Sequence, residues 1–526
     1  MKLLVSDPLS EEGLKILTAS GIPVDVKPGL KEDELCAIIG EYDGLIIRSG
    51  TTVTKKVIDS GKKLRVIGRA GVGVDNIDVP AATAKGILVM NTPSANIISA
   101  AEHSCAMIMA LVRNIPMAHA SMHAGEWKRS KYTGIELNGK TLGIIGVGRV
   151  GGEVAKRLKH FNMTIIGYDP YLPKEVADDI GVRLTDLEEV ITKADIMTIH
   201  TPLLPETRGM ISMPQFKKMK PTAMLVNVAR GGIVNEKDLY DALKNKVIAG
   251  AAFDVWENEP LSDDEKKLLE LDNLVTTPHL GASTYEAQER VSIEVAEAAI
   301  KFLKDGMITN AINAPRGQLD PEVAPFVTLA EYLGIIAQQL NGSKPVEMLE
   351  VTCCGELSKK DTRRIGISAI IGVLQNIIGE KANMINAGSI AKGKGIVIKE
   401  AKSEDSKVYD STLSVKVTSG KKSSEVRGTV FANIPRLVGV NDYSFEIPIQ
   451  NNIFIARYKD KPGIIGAVGK ILGDNGVNIA QMTVGRDAPN GTAIMVLSVD
   501  HPVSQEIEDK VDATAGFEKS KFISLL

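Results

Sequence analysis

Redox chemistry at a carbon that bears oxygen needs one group to move a proton and another to hold the substrate, and three residues of this chain suit those tasks. His279 sits in a Pro278-His279-Leu280-Gly281 loop just beyond a short apolar run. An imidazole, with an unperturbed pKa of ~6.5, serves as base in one direction and as acid in the other. Glu259, in Trp256-Glu257-Asn258-Glu259-Pro260, can accept a hydrogen bond from the far ring nitrogen, fixing the tautomer and stabilising the imidazolium. Arg230, in Asn227-Val228-Ala229-Arg230-Gly231-Gly232, offers a planar fork that grips a carboxylate at two points and polarises a neighbouring carbonyl. The other histidines suit the task less: His103, His119, His123 and His160 fall in helical stretches, His200 ends a strand and His501 lies near the C-terminus.

Two more arginines follow apolar runs nearer the N-terminus, in Arg48-Ser49-Gly50 and in Gly68-Arg69-Ala70-Gly71-Val72-Gly73. Ligands of a doubly wound sheet bind beyond the carboxyl ends of its strands, so Arg48, Ser49, Gly50 and Arg69 are candidates for holding a small anion. Three crowded arginines repel one another, and a substrate with two or three negative charges relieves that.

The hydride partner is read from residues 141–158, TLGIIGVGRVGGEVAKRL. Leu142, Ile144 and Ile145 form an apolar run, Gly146-x-Gly148-x-x-Gly151 follows, and a helical pattern begins near Arg149. The glycines let the backbone turn sharply and approach a pyrophosphate, whose charge then rests at the helix start. A second short strand ends at Asp169, about twenty residues on, where a carboxylate accepts hydrogen bonds from the ribose hydroxyls and repels a 2′-phosphate. The expected cofactor is NAD rather than NADP.

The chain has 526 residues, enough for three or four domains. Its 24% charged residues and net charge of -3 give no reason to invoke nucleic acid or a membrane. Four cysteines, Cys36, Cys105, Cys353 and Cys354, show neither metal-ligand nor disulfide spacing, which fits a reducing cytoplasm. No metal is expected. The N-terminus reads as a first strand and not a signal peptide, and no apolar run reaches the ~18 residues of a membrane span.

Apolar runs at 2–6, 44–48, 65–68 and 87–91, alternating with helical periodicity at 11–20, 31–40 and 54–60, predict a parallel α/β domain over 1–95. Residues 96–124 read as one long crossover helix into a NAD-binding domain over 96–282, with further strands at 194–201, 223–228, 248–254 and 274–277. A helix over 285–302 returns to the first domain, adding 283–314 to it. Pro315-Arg316-Gly317-Gln318 and Pro321 suggest a linker. An intervening α+β domain over 315–450 follows, with helices at 323–340 and 358–378, strands between 395 and 449, and an assembly or regulatory role. Residues 451–526 carry a ferredoxin-like βαββαβ pattern.

Taken together, Gly146-Val147-Gly148-Arg149-Val150-Gly151, the Arg230 turn, Glu259-Pro260 and Pro278-His279-Leu280-Gly281-Ala282 resemble the D-isomer-specific 2-hydroxyacid dehydrogenases. Ile47-Arg48-Ser49, the run Gly68 to Asn76 and Gly281-Ala282-Ser283-Thr284 are similar to the branch that oxidises 3-phosphoglycerate to 3-phosphohydroxypyruvate, the first step of serine synthesis. The resemblance implies His279 as acid/base, Glu259 as its partner and Arg230 as the carboxylate clamp. It also implies NAD contacts at Val72, Arg149, Val150, Asp169, Thr201, Val228, Asp254, Gly281 and Ala282, beside the three fingerprint glycines. Asp460-Lys461-Pro462-Gly463 and Gly476-Val477-Asn478-Ile479-Ala480 resemble an ACT domain, in which Tyr458, Asp460 and Asn478 match serine-binding positions. Feedback by serine and a dimeric or tetrameric assembly are the corresponding expectations. The alternatives are a dehydrogenase for another D-2-hydroxyacid (glyoxylate, hydroxypyruvate, lactate or 2-oxoglutarate) and, from another class, an NADH-responsive corepressor. Arg48 and Arg69 argue against the first, because a small monoanion does not need them. The ACT-like tail and the lack of a basic extension argue against the second.

Overall fold

Short runs of β-branched and leucine residues, each followed by an amphipathic stretch, bury both faces of a strand and so select parallel sheets covered by helices. A computed structural model of the chain describes residues 1–315, 319–342, 344–378, 382–406, 408–514 and 516–525. Arg316, Gly317 and Gln318 of the expected linker lie outside the described residues. The fold is α/β, with two parallel-sheet units followed by a mixed-sheet unit and a small antiparallel one.

The first sheet orders its strands Val24–Val26, Leu3–Val5, Gly44–Ile47, Val66–Arg69 and Leu88–Met90, all parallel. Leu3, Leu4, Val5, Leu45, Ile46 and Ile47 are fully buried, as strands covered on both faces require. The edge strand Val24–Val26 was not expected. It is only three residues long, Val24-Asp25-Val26, with none of them buried, so its alternation is too short to announce it.

The second sheet is seven-stranded, in the order Leu274–Thr276, Gly250–Phe253, Met224–Asn227, Ile196–Ile199, Thr141–Ile145, Thr164–Tyr168 and Arg183–Leu184. The chain leaves Thr141–Ile145 toward one edge and returns to pair Ile196–Ile199 on its other side. This reversal makes a crevice at the carboxyl ends of those two strands. The long crossover helix expected over 96–124 is instead two helices, Ile97–Val112 and Ile115–His123, because Asn114 takes a left-handed φ of 52° that no continuous helix accommodates.

Helix Tyr285–Asp305, capped by Thr284 and ended by Gly306 at φ 66°, runs back to the first sheet. It packs on helix Glu11–Ala19 so closely that a Cβ on Gly13 would lie 2.7 Å from that of Ser292. The crossover segment is tied to the same helix by Ser99 Oγ and Thr284 Oγ1 at 2.8 Å and by Arg290 Nε donating to the Ala95 carbonyl at 2.9 Å.

The third unit stacks helices Ala324–Asn341 and Arg363–Ile378 on a six-stranded sheet. The two helices cross at glycines: Cβ atoms at Gly334 and Gly372 would sit 2.4 and 2.1 Å from carbonyl oxygens of the opposite helix. Strand Met348–Gly355, unannounced in the sequence reading, is internal to this sheet, between Val397–Ser403 and Ser411–Ser419. The last unit has strand order Ile479–Arg486, Thr492–Val499, Asn452–Lys459 and Phe517–Ser524, with helices Ile464–Asp474 and Gln505–Asp512. One face of its sheet, with Ile453, Ile455, Ile494 and Val496, shares a single core with the third unit. Asn383 Nδ2 donates to the Gly86 carbonyl at 3.0 Å and links the third unit to the first. No helix among the described residues is long and apolar enough to cross a membrane.

Candidate active site

The fingerprint turn is built by close approach. A Cβ on Gly151 would fall 2.1 Å from the Gly146 carbonyl oxygen, and one on Gly146, at φ 88°, would meet the His200 carbonyl carbon at 2.8 Å. Gly148, in contrast, faces open space and precedes helix Arg149–Lys159 without a side-chain cap. The first amide groups of that helix therefore remain free to bind an anion. Asp169 Oδ2 accepts from the Val147 amide at 3.0 Å and Oδ1 from the Tyr171 amide at 2.9 Å, which fixes the carboxylate at the strand end beside the turn. Each oxygen keeps a second lone pair for another donor. Thr201 Oγ1 is buried and has no partner among the described residues.

A cleft at the reversal of strand order is lined by Val72, Pro93, Arg149, Val150, Thr201, Val228, Arg230, Asp254, His279, Gly281 and Ala282. The free helix start, the fixed Asp169 carboxylate and the unpartnered Thr201 hydroxyl match a dinucleotide, so the residues fit NAD. The cleft thus gathers every NAD contact that the resemblance implied except Asp169 and the glycines, which form the adjoining turn.

His279 is on a loop that Asp254 shapes from beneath. Asp254 is fully buried, and its carboxylate accepts from Thr277 Oγ1 at 2.5 Å and from the Leu280 and Gly281 amides at 2.7 and 2.8 Å. His103 Nε2 adds a contact at 3.2 Å. Burial pushes the Asp254 carboxyl up, but these donors outweigh it and hold it below the ordinary carboxylate value. Asp254 lines the cleft, yet its oxygens are occupied with holding the loop. His279 itself has a left-handed φ of 56°, costly for a residue with a Cβ and sustained by this clamp.

His279 Nδ1 lies 2.8 Å from Glu259 Oε2, and Glu259 Oε1 accepts from the Trp256 amide at 3.1 Å. Burial raises the Glu259 carboxyl, but the His279 and Trp256 hydrogen bonds bring it below its ordinary value, so it is an anion at neutral pH. An ionised carboxylate only accepts, so the Nδ1 nitrogen carries hydrogen and Nε2 of the neutral ring is left with a free lone pair. His200 is a poor substitute, since burial alone pushes it down to about 4 and keeps it neutral.

Arg230 is held in its turn by Asn227, whose Nδ2 donates to the Arg230 carbonyl at 2.9 Å. Its Nη1 donates to the Ala229 carbonyl at 2.6 Å and its Nε lies 3.3 Å from Asp75 of the first unit. Gly231 is pressed against the next loop: a Cβ would lie 1.9 Å from the Trp256 carbonyl oxygen. Arg69 is the most perturbed cation. Burial, with repulsion from Arg230 and Arg48 opposed by Asp75, lowers it to about 10, and its Nε has no partner among the described residues. It remains charged at neutral pH, and an anion would relieve its environment.

The 48–51 loop is shaped by residues that the sequence reading missed. Asp7 accepts from the Arg48 amide at 2.6 Å and from the Thr51 amide and hydroxyl, while Asn76 Nδ2 donates to the Arg48 and Thr51 carbonyls. Gly50 sits over Asp7, where a Cβ would approach Oδ1 to 2.7 Å, and Ser49 is exposed. Asp7 lies just past the first strand, so the rule that placed Arg48 and Arg69 could have found it.

The three residues matched to serine binding do not meet within one chain. Tyr458 is buried, 2% exposed, against Phe517, and Asp460 faces Arg486 at 3.5 Å. Asn478 pairs with Asp500 at 2.7 Å at the opposite end of the sheet. Tyr458 is level with Ala493 and Ile479 with Val499 on the strand between them, a separation of roughly 20 Å at ~3.3 Å per residue.

Comparison with known proteins adds to this geometry. Residues 105–281 match the family model described as the D-isomer specific 2-hydroxyacid dehydrogenase NAD binding domain. Residues 322–441 match the D-3-phosphoglycerate dehydrogenase intervening domain, and residues 452–516 the ACT domain. The chain is 42% identical to the D-3-phosphoglycerate dehydrogenase of Archaeoglobus fulgidus over 100% of both chains. It is 45% identical to that of Methanocaldococcus jannaschii over 97% of both. Among solved structures, D-lactate dehydrogenase from Aquifex aeolicus complexed with NAD and lactic acid is 27% identical, with a TM-score of 0.54, over 60% of this chain and 100% of that one.

Proposed function

The chain belongs to the D-3-phosphoglycerate dehydrogenases, and on that premise we propose that it oxidises 3-phosphoglycerate to 3-phosphohydroxypyruvate with NAD, the first step of serine synthesis. The observation that carries this reading is one cleft lined by His279, Arg230 and the residues beside the fingerprint turn, with the perturbed Arg69 close to Arg230. NAD, when bound, supplies the hydride acceptor. Gly146, Gly148, Gly151, Arg149, Val150, Asp169, Thr201, Val228, Gly281, Ala282 and Val72 would hold it. His279 Nε2 takes the C2 hydroxyl proton, Glu259 steadies the resulting imidazolium, and Arg230 grips the carboxylate. Arg69 and Arg48 hold the remaining substrate anion.

This reading divides the chain into a substrate-binding domain (1–95 with 283–314), a NAD-binding domain (96–282), an intervening domain (315–450) and an ACT domain (451–526), in a cytoplasmic dimer or tetramer. A charge-assisted contact is worth about 1.5–3 kcal/mol. Arg69→Ala and Arg48→Ala should therefore each lower kcat/KM for 3-phosphohydroxypyruvate by roughly 10- to 100-fold, and leave that for glyoxylate little changed. Steady-state NADH oxidation with both substrates checks this. A better rate with glyoxylate than with the phosphorylated acid in the unaltered protein would overturn the assignment.

Serine is the effector this reading assigns to the ACT domain. Because Asn478 and the Tyr458–Asp460 end lie far apart, a ligand touching all three requires a second copy of the chain. Serine at millimolar concentration is expected to inhibit the native oligomer, and Asn478→Ala to relieve that inhibition with basal turnover retained. An unchanged rate in saturating serine removes the effector.

A further inference from the structure

Glu259 has its own supporting structure, and that structure is a pair of buried carboxyls on the far side of its loop. Glu236 opens helix Glu236–Lys244 and is 8% exposed; Glu265 opens the 3-10 turn Glu265–Glu270 and is 9% exposed. Both face a cavity that Glu257 and Ser262 also line. Glu236 Oε1 accepts from the Glu257 amide at 2.7 Å. Glu265 Oε1 accepts from the Asn258 amide and from Asn258 Nδ2, at 3.2 and 2.9 Å, and Oε2 accepts from the Ser262 amide at 2.6 Å. Amides on both sides of Glu259 are therefore fixed by these two side chains.

One atom does not fit two ionised carboxylates. Glu236 Oε2 is buried and meets no donor among the described residues, although the Glu265 carboxylate is within hydrogen-bonding reach of its side chain. An unpartnered anionic oxygen buried beside another anion is unstable, whereas a proton on it supplies the missing donor and removes the repulsion. We propose that Glu236 and Glu265 share one proton, and that the protonated pair positions the 257–262 loop, and through it Glu259 and His279, for turnover.

The surrounding charges agree with that assignment. Glu257, Asp241 and Asp264 are nearby acids, while Lys237 and Lys267 are the cations lining the same cavity. Lys267 is paired with Asp264 at 2.7 Å and Glu257 with Arg208 at 2.8 Å, and no ion pair among the described residues reaches either buried carboxyl. Burial, together with the hydrogen bond and charge of Glu265 and opposed by the Glu257 amide, raises Glu236 from 4.5 to about 7. Glu265 moves the other way: burial raises it, but Ser262 and Asn258 hold it below the ordinary value. Glu236 thus carries the proton and Glu265 the charge. As pH rises through about 7 the proton leaves, two anions face each other, and the loop loosens.

The role is one of positioning, and it rests on the reading of Glu259 as the partner of His279. The test compares Glu236→Ala, Glu236→Gln and Glu259→Gln in the full-length oligomer, measuring kcat from pH 6 to 8.5, NADH affinity and melting temperature. Glu236→Ala should lower kcat roughly tenfold or more, because small displacements of catalytic groups are costly, with NADH affinity held within about twofold. Glu236→Gln keeps the acceptor for Glu257 and offers a permanent donor to Glu265, so it should recover most of that loss. Its kcat relative to wild type should rise about threefold or more between pH 6 and 8.5, since it cannot lose the proton.

The folded pKa of Glu236 is raised, so the wild type loses stability as pH climbs from about 5 to 7, and the glutamine variant should melt increasingly higher than wild type over that window. A Glu236→Ala kcat within twofold of wild type, or a Glu236→Gln ratio flat with pH, overturns the proposal. Should the alanine variant fail to fold, the pH ratio of the isosteric glutamine variant decides alone. Glu259→Gln separates the two readings: normal turnover there removes the Glu259 role itself, whereas an impaired Glu259→Gln with silent Glu236 variants removes only the shared proton.

Discussion

His279→Ala is expected to lower kcat by roughly 10²- to 10⁴-fold, the usual contribution of a positioned general acid or base. NADH affinity should stay near that of the wild type. The imidazole lines the cofactor cleft, and its Nδ1 pairs with Glu259 Oε2 at 2.8 Å. The loop depends on Asp254, Thr277 and the Leu280 and Gly281 amides, none of which the substitution touches. Removing the ring also releases residue 279 from no constraint, because its left-handed φ of 56° is set by that backbone clamp. NADH fluorescence titration and single-turnover kinetics separate binding from chemistry. Turnover near the wild-type rate would remove His279 from the mechanism.

The second large effect is expected at Arg230. Arg230→Lys keeps the charge, but a lysine ammonium cannot present two parallel donors to a carboxylate. We expect kcat/KM to fall by roughly 10²- to 10³-fold, as when one preorganised electrostatic donor is withdrawn, and Arg230→Ala to be no more than modestly worse. The geometry supports this severity. The Asn227 side chain fixes the turn, Asp75 approaches Nε from the other unit at 3.3 Å, and Gly231 seats the turn against Trp256. A lysine reaching from the same turn loses the Asp75 contact and the fork together. A kcat/KM for Arg230→Lys within tenfold of the wild type would show that a point charge is enough.

The sequence told most where the chemistry depends on local order. An apolar run, three spaced glycines and a timed acid locate the cofactor turn because strand, turn and helix start are contiguous, and Asp169 reaches Val147 across a single strand pair. The parallel sheets were legible for the same reason, since strands buried on both faces read as continuous apolar runs. Local signals failed at Val24–Val26, too short and exposed to show a pattern, and at Asn114, where a left-handed residue divides what the periodicity read as one helix.

What only the tertiary structure decided lies between distant segments. Asp7 and Asn76 shape the Arg48 loop across 41 and 28 residues of sequence, and Asp254 holds the His279 loop from another strand end. Asn478 and Tyr458, both matched to serine binding in the sequence, occupy opposite ends of one sheet. The state of Glu236 depends on its burial and on Glu265, a carboxyl 29 positions away in sequence. Residue type and spacing thus determine which side chains are capable of proton transfer, anion binding and nucleotide contact. Burial and partners, which arise only when remote strands close into sheets, determine which of them carry charge and how firmly they are held.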